Sequence, residues 1–283
     1  MNVLVTGGRG RIGAVVARSL RAAGHGVVEY DLLDGQDILD LSTLERSMRG
    51  CDAIVHSAAL LGRPGDAPDR IMSVNLQGTW NVLTCASALG VERLVLLSSV
   101  DALGVFKGER APDYLPLDDA HPCYPGTPYG ISKRLAEEMC RLACEASRLS
   151  VVALRPPGVW HEATYERIHA TRAQQPDFEW TPFWEYGAFI DVRDLSQACV
   201  RALGCTSTGF RCVLLAAADI TTSGPASRAW AERLHPDVEW RGGAEYEADP
   251  YRSLIDSSEA RKLLDWKPEH SWRDFQRTKK DGA

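Results

Sequence analysis

The chain has 283 residues, 45% of them hydrophobic, with 38 acidic against 32 basic side chains and a formal charge of −6. That apolar content can fill one large domain or a core domain with a small second lobe, and the acidic balance excludes a basic face for nucleic acid, leaving small molecules as the expected partners. No apolar run reaches transmembrane length and no basic stretch precedes an apolar leader, so a soluble, untargeted, cytoplasmic protein without membrane contact is expected.

The first predicted element is a strand, Asn2, Val3, Leu4 and Val5, which runs into Gly7, Gly10 and Gly13 and then into an apolar-periodic helix from Ile12 to Leu20. In that order Gly7 permits a tight turn, Gly10 lets backbone approach a pyrophosphate, Gly13 lets helix and strand pack closely, and the helix N-terminus faces the anion. A second strand, Gly26 to Tyr30, ends at Asp31, whose carboxylate suits a free ribose 2′-hydroxyl. It would repel the phosphate of NADP, and no arginine stands among Leu32, Leu33, Asp34 and Gly35 to offset it. Asp37, followed by Ile38, adds negative charge, while Arg9 and Arg11 in the glycine turn pull the other way. NAD is therefore the expected cofactor and NADP the less favoured one.

Further strands are expected at Ala53 to His56, Arg93 to Leu97 and Val151 to Leu154, alternating with helical segments of which Asp69 to Leu89 and Tyr129 to Ser147 are the longest. This alternation predicts an α/β fold, a Rossmann-type doubly wound parallel sheet. Residues 103–128, rich in Pro, Gly and Asp, read as a surface loop beside the site. After Pro156 an irregular stretch runs to Gly187, carrying Trp160, Trp180, Phe183, Trp184 and Tyr186. The expected division is a cofactor-binding domain over residues 1–155, with 188–216 returning to it, and a small C-terminal substrate-binding lobe over 156–283. Eight cysteines are scattered without a CxxC or a His-Cys cluster, so reduced thiols and no metal site are expected.

Tyr129 and Lys133 stand four apart in YGISK, downstream of the serine pair Ser98 and Ser99. That spacing also arises on any exposed helix face. In combination with TGGRGRIG, however, the set resembles the extended short-chain dehydrogenase/reductase superfamily, in the branch of NAD-dependent epimerases and dehydratases, over nearly the whole chain. The matching segments are Thr6 to Gly13, Asp31, the turn His56-Ser57-Ala58-Ala59, VNLQGTWNVL with Asn75, LLSSVDALG with Ser99, YGISK, LRPPGV, FIDVRDLSQACV and SSEARKLLDWKP.

The resemblance implies that Tyr129 exchanges the proton of a secondary hydroxyl, Lys133 holds the nicotinamide ribose and favours the phenolate, and Ser99 bonds the substrate oxygen. Asn75 either orders a water behind Lys133 or is a buried hydrogen-bonding residue. Arg9, Arg11, Ile12, Asp37, Ile38, Ser57, Ala58, Ala59 and Pro156 complete the expected cofactor surround. Asp101 and Trp184 are the substrate candidates, the alternatives being local backbone capping for the former and small-lobe packing for the aromatic group. Val100 replaces the aspartate of the dehydratases, and Gly158 stands where nucleotide-sugar enzymes keep an asparagine. The expected activity is therefore net oxidation or reduction of a small sugar-like or ring-bearing substrate, with a nucleotide-sugar 4-epimerase or dehydratase retaining NAD as the alternative and a non-catalytic NAD sensor as the third reading. A homodimer formed through the two long helices is implied in the same way. His161 is expected on the rim or in a structural role, and Arg155 and Arg193 either bind an anionic substrate or form structural ion pairs.

Overall fold

The structure is a computed structural model that describes residues 1–106, 110–179 and 185–281. In chain order the strands are β1 (Asn2–Thr6), β2 (Gly26–Tyr30), β3 (Ala53–His56), β4 (Arg93–Leu97), β5 (Tyr114–Leu115), β6 (Ser150–Arg155), β7 (Gly158–Trp160), β8 (Phe189–Asp191), β9 (Phe210–Leu214) and β10 (Glu239–Trp240). The helices are α1 (Gly13–Ala22), α2 (Leu41–Met48), α3 (Pro68–Met72), α4 (Gly78–Leu89), α5 (Pro128–Ala146), α6 (Glu162–Gln174), α7 (Val192–Gly204), α8 (Ser227–Leu234), α9 (Glu245–Ala248), α10 (Ser258–Leu264) and α11 (Trp272–Asp281).

Six strands form one parallel sheet in the order β2-β1-β3-β4-β6-β9. Its strands are near-continuous apolar runs because both faces are covered. Val3, Val5, Val55, Val95 and Leu97 pack with Val16 and Leu20 of α1 and Leu195 and Ala198 of α7. The alternate residues Leu4, Ile54, Leu94 and Leu96 pack on the other face with Leu44 of α2, Val82 of α4 and Ala136 of α5. Strand order reverses between β1 and β3, so a crevice opens at the carboxyl ends of the strands at this point. The fold is the doubly wound Rossmann type that the alternation predicts.

Three elements depart from expectation, the first being β5, which with the buried Leu103, Leu115 and Leu117 forms core in a stretch whose Pro, Gly and Asp content reads as a surface loop. The long helix over 68–89 is interrupted by a π turn, Ser73–Gln77, that carries Asn75. Thr79 Oγ1 donates to the Asn75 carbonyl at 2.6 Å, accommodating a carbonyl that the widened turn displaces. The stretch after Pro156 is not irregular throughout: β7 and the 13-residue α6 lie within it. Only Thr164, Tyr165 and Ile168 of α6 are buried, too thin a stripe to mark a helical period. β7 pairs only with β8, as a separate two-stranded ribbon.

Outside the main sheet, β5 pairs in parallel with β10, and Leu117 bridges to Ile255. These join a further core containing Leu103, Phe106, Leu115, Tyr186, Trp230 and Leu254. All eight cysteines are free. No helix among the described residues is long and apolar enough to cross a membrane, and no cluster of metal-ligating side chains occurs among them.

Candidate active site

The crevice begins at the glycine turn. Gly7 adopts φ 67°, a conformation open to glycine at little cost, and a Cβ there would stand 2.9 Å from the Ala58 backbone. A Cβ on Gly13 would lie 2.1 Å from the Gly7 carbonyl, so α1 could not seat against β1 with any other residue. Helix α1 starts at Gly13 without a side-chain cap; Ala14 N and Val15 N donate to the Gly10 and Ile12 carbonyls at 3.0 Å, and Arg11, Ile12 and Gly13 line the crevice at the positive end of the helix. That arrangement fits a pyrophosphate. Asp31 holds the turn: its Oδ2 accepts from Arg9 N at 2.9 Å and its Oδ1 from Leu33 N at 2.9 Å. The Arg9 guanidinium reaches away to Asp34, 2.7 Å distant. Asp37 accepts from Leu39 N and, through its carbonyl, from Tyr30 Oη. Ile38 is core, packed where Gly78 leaves room for it, so its side chain does not face the crevice.

A buried polar chain sets the floor. His56 bonds Thr6 Oγ1 at 2.7 Å and Thr79 Oγ1 at 3.1 Å, and burial, with the charge of Lys133 second, drives its pKa down to about 3. It is a neutral tie between β1, β3 and α4. Ser57 Oγ donates to the Thr6 carbonyl at 2.6 Å. Asn75 accepts from Leu60 N at 2.8 Å and donates to Leu60 O at 3.0 Å and to Ser132 Oγ at 2.9 Å. The Asn75 amide therefore pins the Leu60 backbone beside α5, in the manner of a buried hydrogen-bonding residue.

Helix α5 supplies the tyrosine and lysine. Thr127 caps it by accepting from Gly130 N at 3.1 Å, with Pro128 in the first turn. Gly130 allows the turn after β4 to press close, since a Cβ there would sit 2.5 Å from the Asp101 carbonyl. This brings Ser99 and Asp101 to Tyr129. Lys133 is buried, donates to the Leu97 carbonyl at 2.7 Å and places Nζ 5.6 Å from the Tyr129 ring centroid. Burial lowers its pKa to about 8, opposed by the charges of Glu137 and Asp101. Burial, then the charge of Asp101, pushes the Tyr129 phenol above its ordinary value, while its bond with Ser99 works in the opposite direction. Desolvation thus opposes the phenolate that Lys133 and an oxidised nicotinamide are expected to favour. Ser99 Oγ also accepts from Asp101 N at 3.1 Å, capping the short 3-10 turn Val100–Leu103.

These residues converge on a cavity of about 580 Å³ lined by Gly7, Gly10, Arg11, Ile12, Gly13, Ser57, Ala59, Ser99, Asp101, Tyr129, Lys133 and Pro156. Arg9, Asp31, Asp37, Ile38, Ala58 and Asn75 lie outside that lining. Trp184, with Trp180 and Phe183, lies outside the described residues. Tyr186 is buried and donates to the Val105 carbonyl, so that member of the aromatic group is core. Sequence reading missed Leu60, Leu61, Arg63, Asp66, Phe106 and Ala188, which line the cavity from loops without a periodic signal. His161 lines it too, its pKa lowered first by burial and then by Arg11. Both ambiguous arginines are structural: Arg155 forms a two-pronged pair with Glu137 and Arg193 with Asp191.

A model of the NAD dependent epimerase/dehydratase family matches residues 3–209. The chain belongs to this family. Within it, human UDP-glucose 4-epimerase is 34% identical over 178 residues, which is 52% of this chain and 49% of that one. The 2-alkyl-3-oxoalkanoate reductase of Stenotrophomonas maltophilia (strain K279a) is 30% identical over 199 residues, 62% of this chain and 56% of that one. Each match thus spans only about half of the curated relative's length. A solved short-chain dehydrogenase/reductase superfamily protein of Agrobacterium tumefaciens, with bound NAD, superposes with a TM-score of 0.71 at 24% identity, covering 100% of this chain and 99% of that one. That likeness establishes the shared fold.

Proposed function

We infer that the protein is an NAD-dependent oxidoreductase that acts on a secondary hydroxyl or carbonyl of a small sugar-like or ring-bearing molecule. The observation that carries this reading is the meeting of Ser99, Tyr129 and Lys133 in a cavity that continues to the uncapped start of α1. Gly7, Gly10, Arg11, Ile12 and Gly13 would hold the pyrophosphate, Asp31 a ribose hydroxyl, and Lys133 the nicotinamide ribose. When bound, NAD supplies the hydride acceptor or donor. Tyr129 takes the hydroxyl proton during oxidation and returns it during reduction, while the Ser99 hydroxyl steadies the oxygen on which charge develops. Asp101 orients neighbouring hydroxyls.

Purified protein assayed with NAD against a panel of aldoses, polyols and cyclic secondary alcohols tests this, with NADH absorbance as the readout. Substrate-dependent NADH supports net redox; exchange of UDP-glucose and UDP-galactose with NAD retained through purification would replace it with the epimerase reading. The relatives named as epimerases support that second reading, and Gly158 weighs against it.

The division into a cofactor domain and a C-terminal substrate lobe belongs to the same proposal, as does a homodimer through α4 and α5. Those helices expose Trp80, Leu135 and Leu142 at 57%, 42% and 51%. The free thiols support a reducing compartment, the cytoplasm.

A further inference from the structure

We propose that Glu137 is a positioning residue for the reaction, a buried carboxylate that keeps Lys133 charged beneath Tyr129. The proposal rests on the reading of Tyr129 and Lys133 given above. Tyr129, Lys133 and Glu137 follow one another at four-residue steps along α5, which places all three on one face of the helix. Glu137 is fully buried. Its Oε1 accepts from Ser98 Oγ at 2.6 Å and from Arg155 Nε at 2.8 Å, and its Oε2 accepts from Arg155 Nη2 at 2.7 Å. The carboxylate is therefore locked to the end of β4, next to Ser99.

The charges around Lys133 come from several elements. His56 on β3 is neutral, as its low pKa requires, and Tyr129 on α5 is a neutral phenol at neutral pH. Asp101 in the turn after β4 and Glu137 on α5 oppose the desolvation of the ammonium, Glu137 more strongly. Glu137 itself faces Arg155 on β6, Arg134 on α5 and the Cys212 thiol on β9. Burial pushes its carboxyl up, yet the bonds and charge of Arg155 hold it below the usual range, so it stays ionised. A role limited to balancing Arg155 would leave Lys133 indifferent to Glu137.

Competitive labelling with acetic anhydride across pH, read by peptide mass spectrometry, distinguishes the two. The chain has six lysines, so Lys133 is resolved and the exposed Lys262 serves as the internal reference. In Glu137→Gln the Lys133 titration should move to lower pH by about one unit, giving about tenfold faster labelling near neutrality. Glu137→Asp should restore most of the wild-type titration. Because the glutamine variant leaves Arg155 unpaired and could misfold, Glu137→Gln with Arg155→Met is measured beside it and should shift Lys133 in the same direction. An unmoved Lys133 titration in whichever variant retains the wild-type circular dichroism overturns the proposal. The functional reading fails separately: full turnover in Tyr129→Phe would sink that reading while leaving a measured Glu137–Lys133 coupling intact.

Discussion

Tyr129→Phe removes one hydroxyl and preserves the ring, so turnover should fall by about a hundredfold or more while NAD titrations stay unchanged; retained turnover would remove Tyr129 from the mechanism. The two shifted pKa values give the pH dependence its sign. Oxidation needs Tyr129 as the proton-accepting phenolate, a form that its raised pKa makes scarce at neutral pH, so the rate should climb above neutrality. It should turn over once Lys133, at about 8, loses its charge. A flat profile of kcat between about pH 6 and pH 10 would contradict the pairing. Cofactor choice is decided at the other end of the cavity. Asp31 opposes a 2′-phosphate, and Arg9, which could have answered it, is already paired with Asp34. NAD should exceed NADP in kcat/KM by about tenfold, or roughly 1.4 kcal/mol, and Asp34→Ala should narrow the gap by freeing Arg9. Comparable efficiency of the two cofactors in the unmutated enzyme would reverse this assignment.

Among the elements, the strands and the glycine turn were legible because their cause is local. A run such as Val3-Leu4-Val5 before Gly7 states both its period and its end. Ser99, Tyr129 and Lys133 were legible for a different reason, their order and spacing within recognisable segments. The π turn was not, since VNLQGTW has the composition of an ordinary helix and the widening is stabilised by contacts with Leu60 and Ser132 from elsewhere. Leu60 and Arg63 escaped notice for the same reason, a loop being placed by what it packs on. The surface of the two long helices yields a test. Leu135 is exposed on α5, so Leu135→Asp should leave folding intact while converting a dimer to a monomer in sedimentation velocity; a wild type that sediments as a monomer would refute the proposed α4 and α5 interface.

At the scale of the whole molecule, the segment between β4 and α5 is fastened to distant chain. β5 pairs with β10, Leu117 with Ile255, and Asp119 accepts from Leu214 N on β9 at 2.6 Å. Leu103, Phe106, Leu115 and Leu117, which precede the helix that holds Tyr129, share one apolar core with Trp230, Tyr246 and Leu254. A calorimetric scan should accordingly show a single transition whose van't Hoff and calorimetric enthalpies agree; two resolved peaks would mean that the regions melt independently. Cutting the chain near residue 216 would not release a working cofactor domain. It would strip β10 from β5 and the 254–255 contacts from Leu117, so the truncated product would expose Leu115 and Leu117 and be prone to aggregate. The segment that precedes helix α5 is thus held by residues more than a hundred positions downstream, and the boundary along which a protein engineer would first divide this chain is one its own topology has stitched shut.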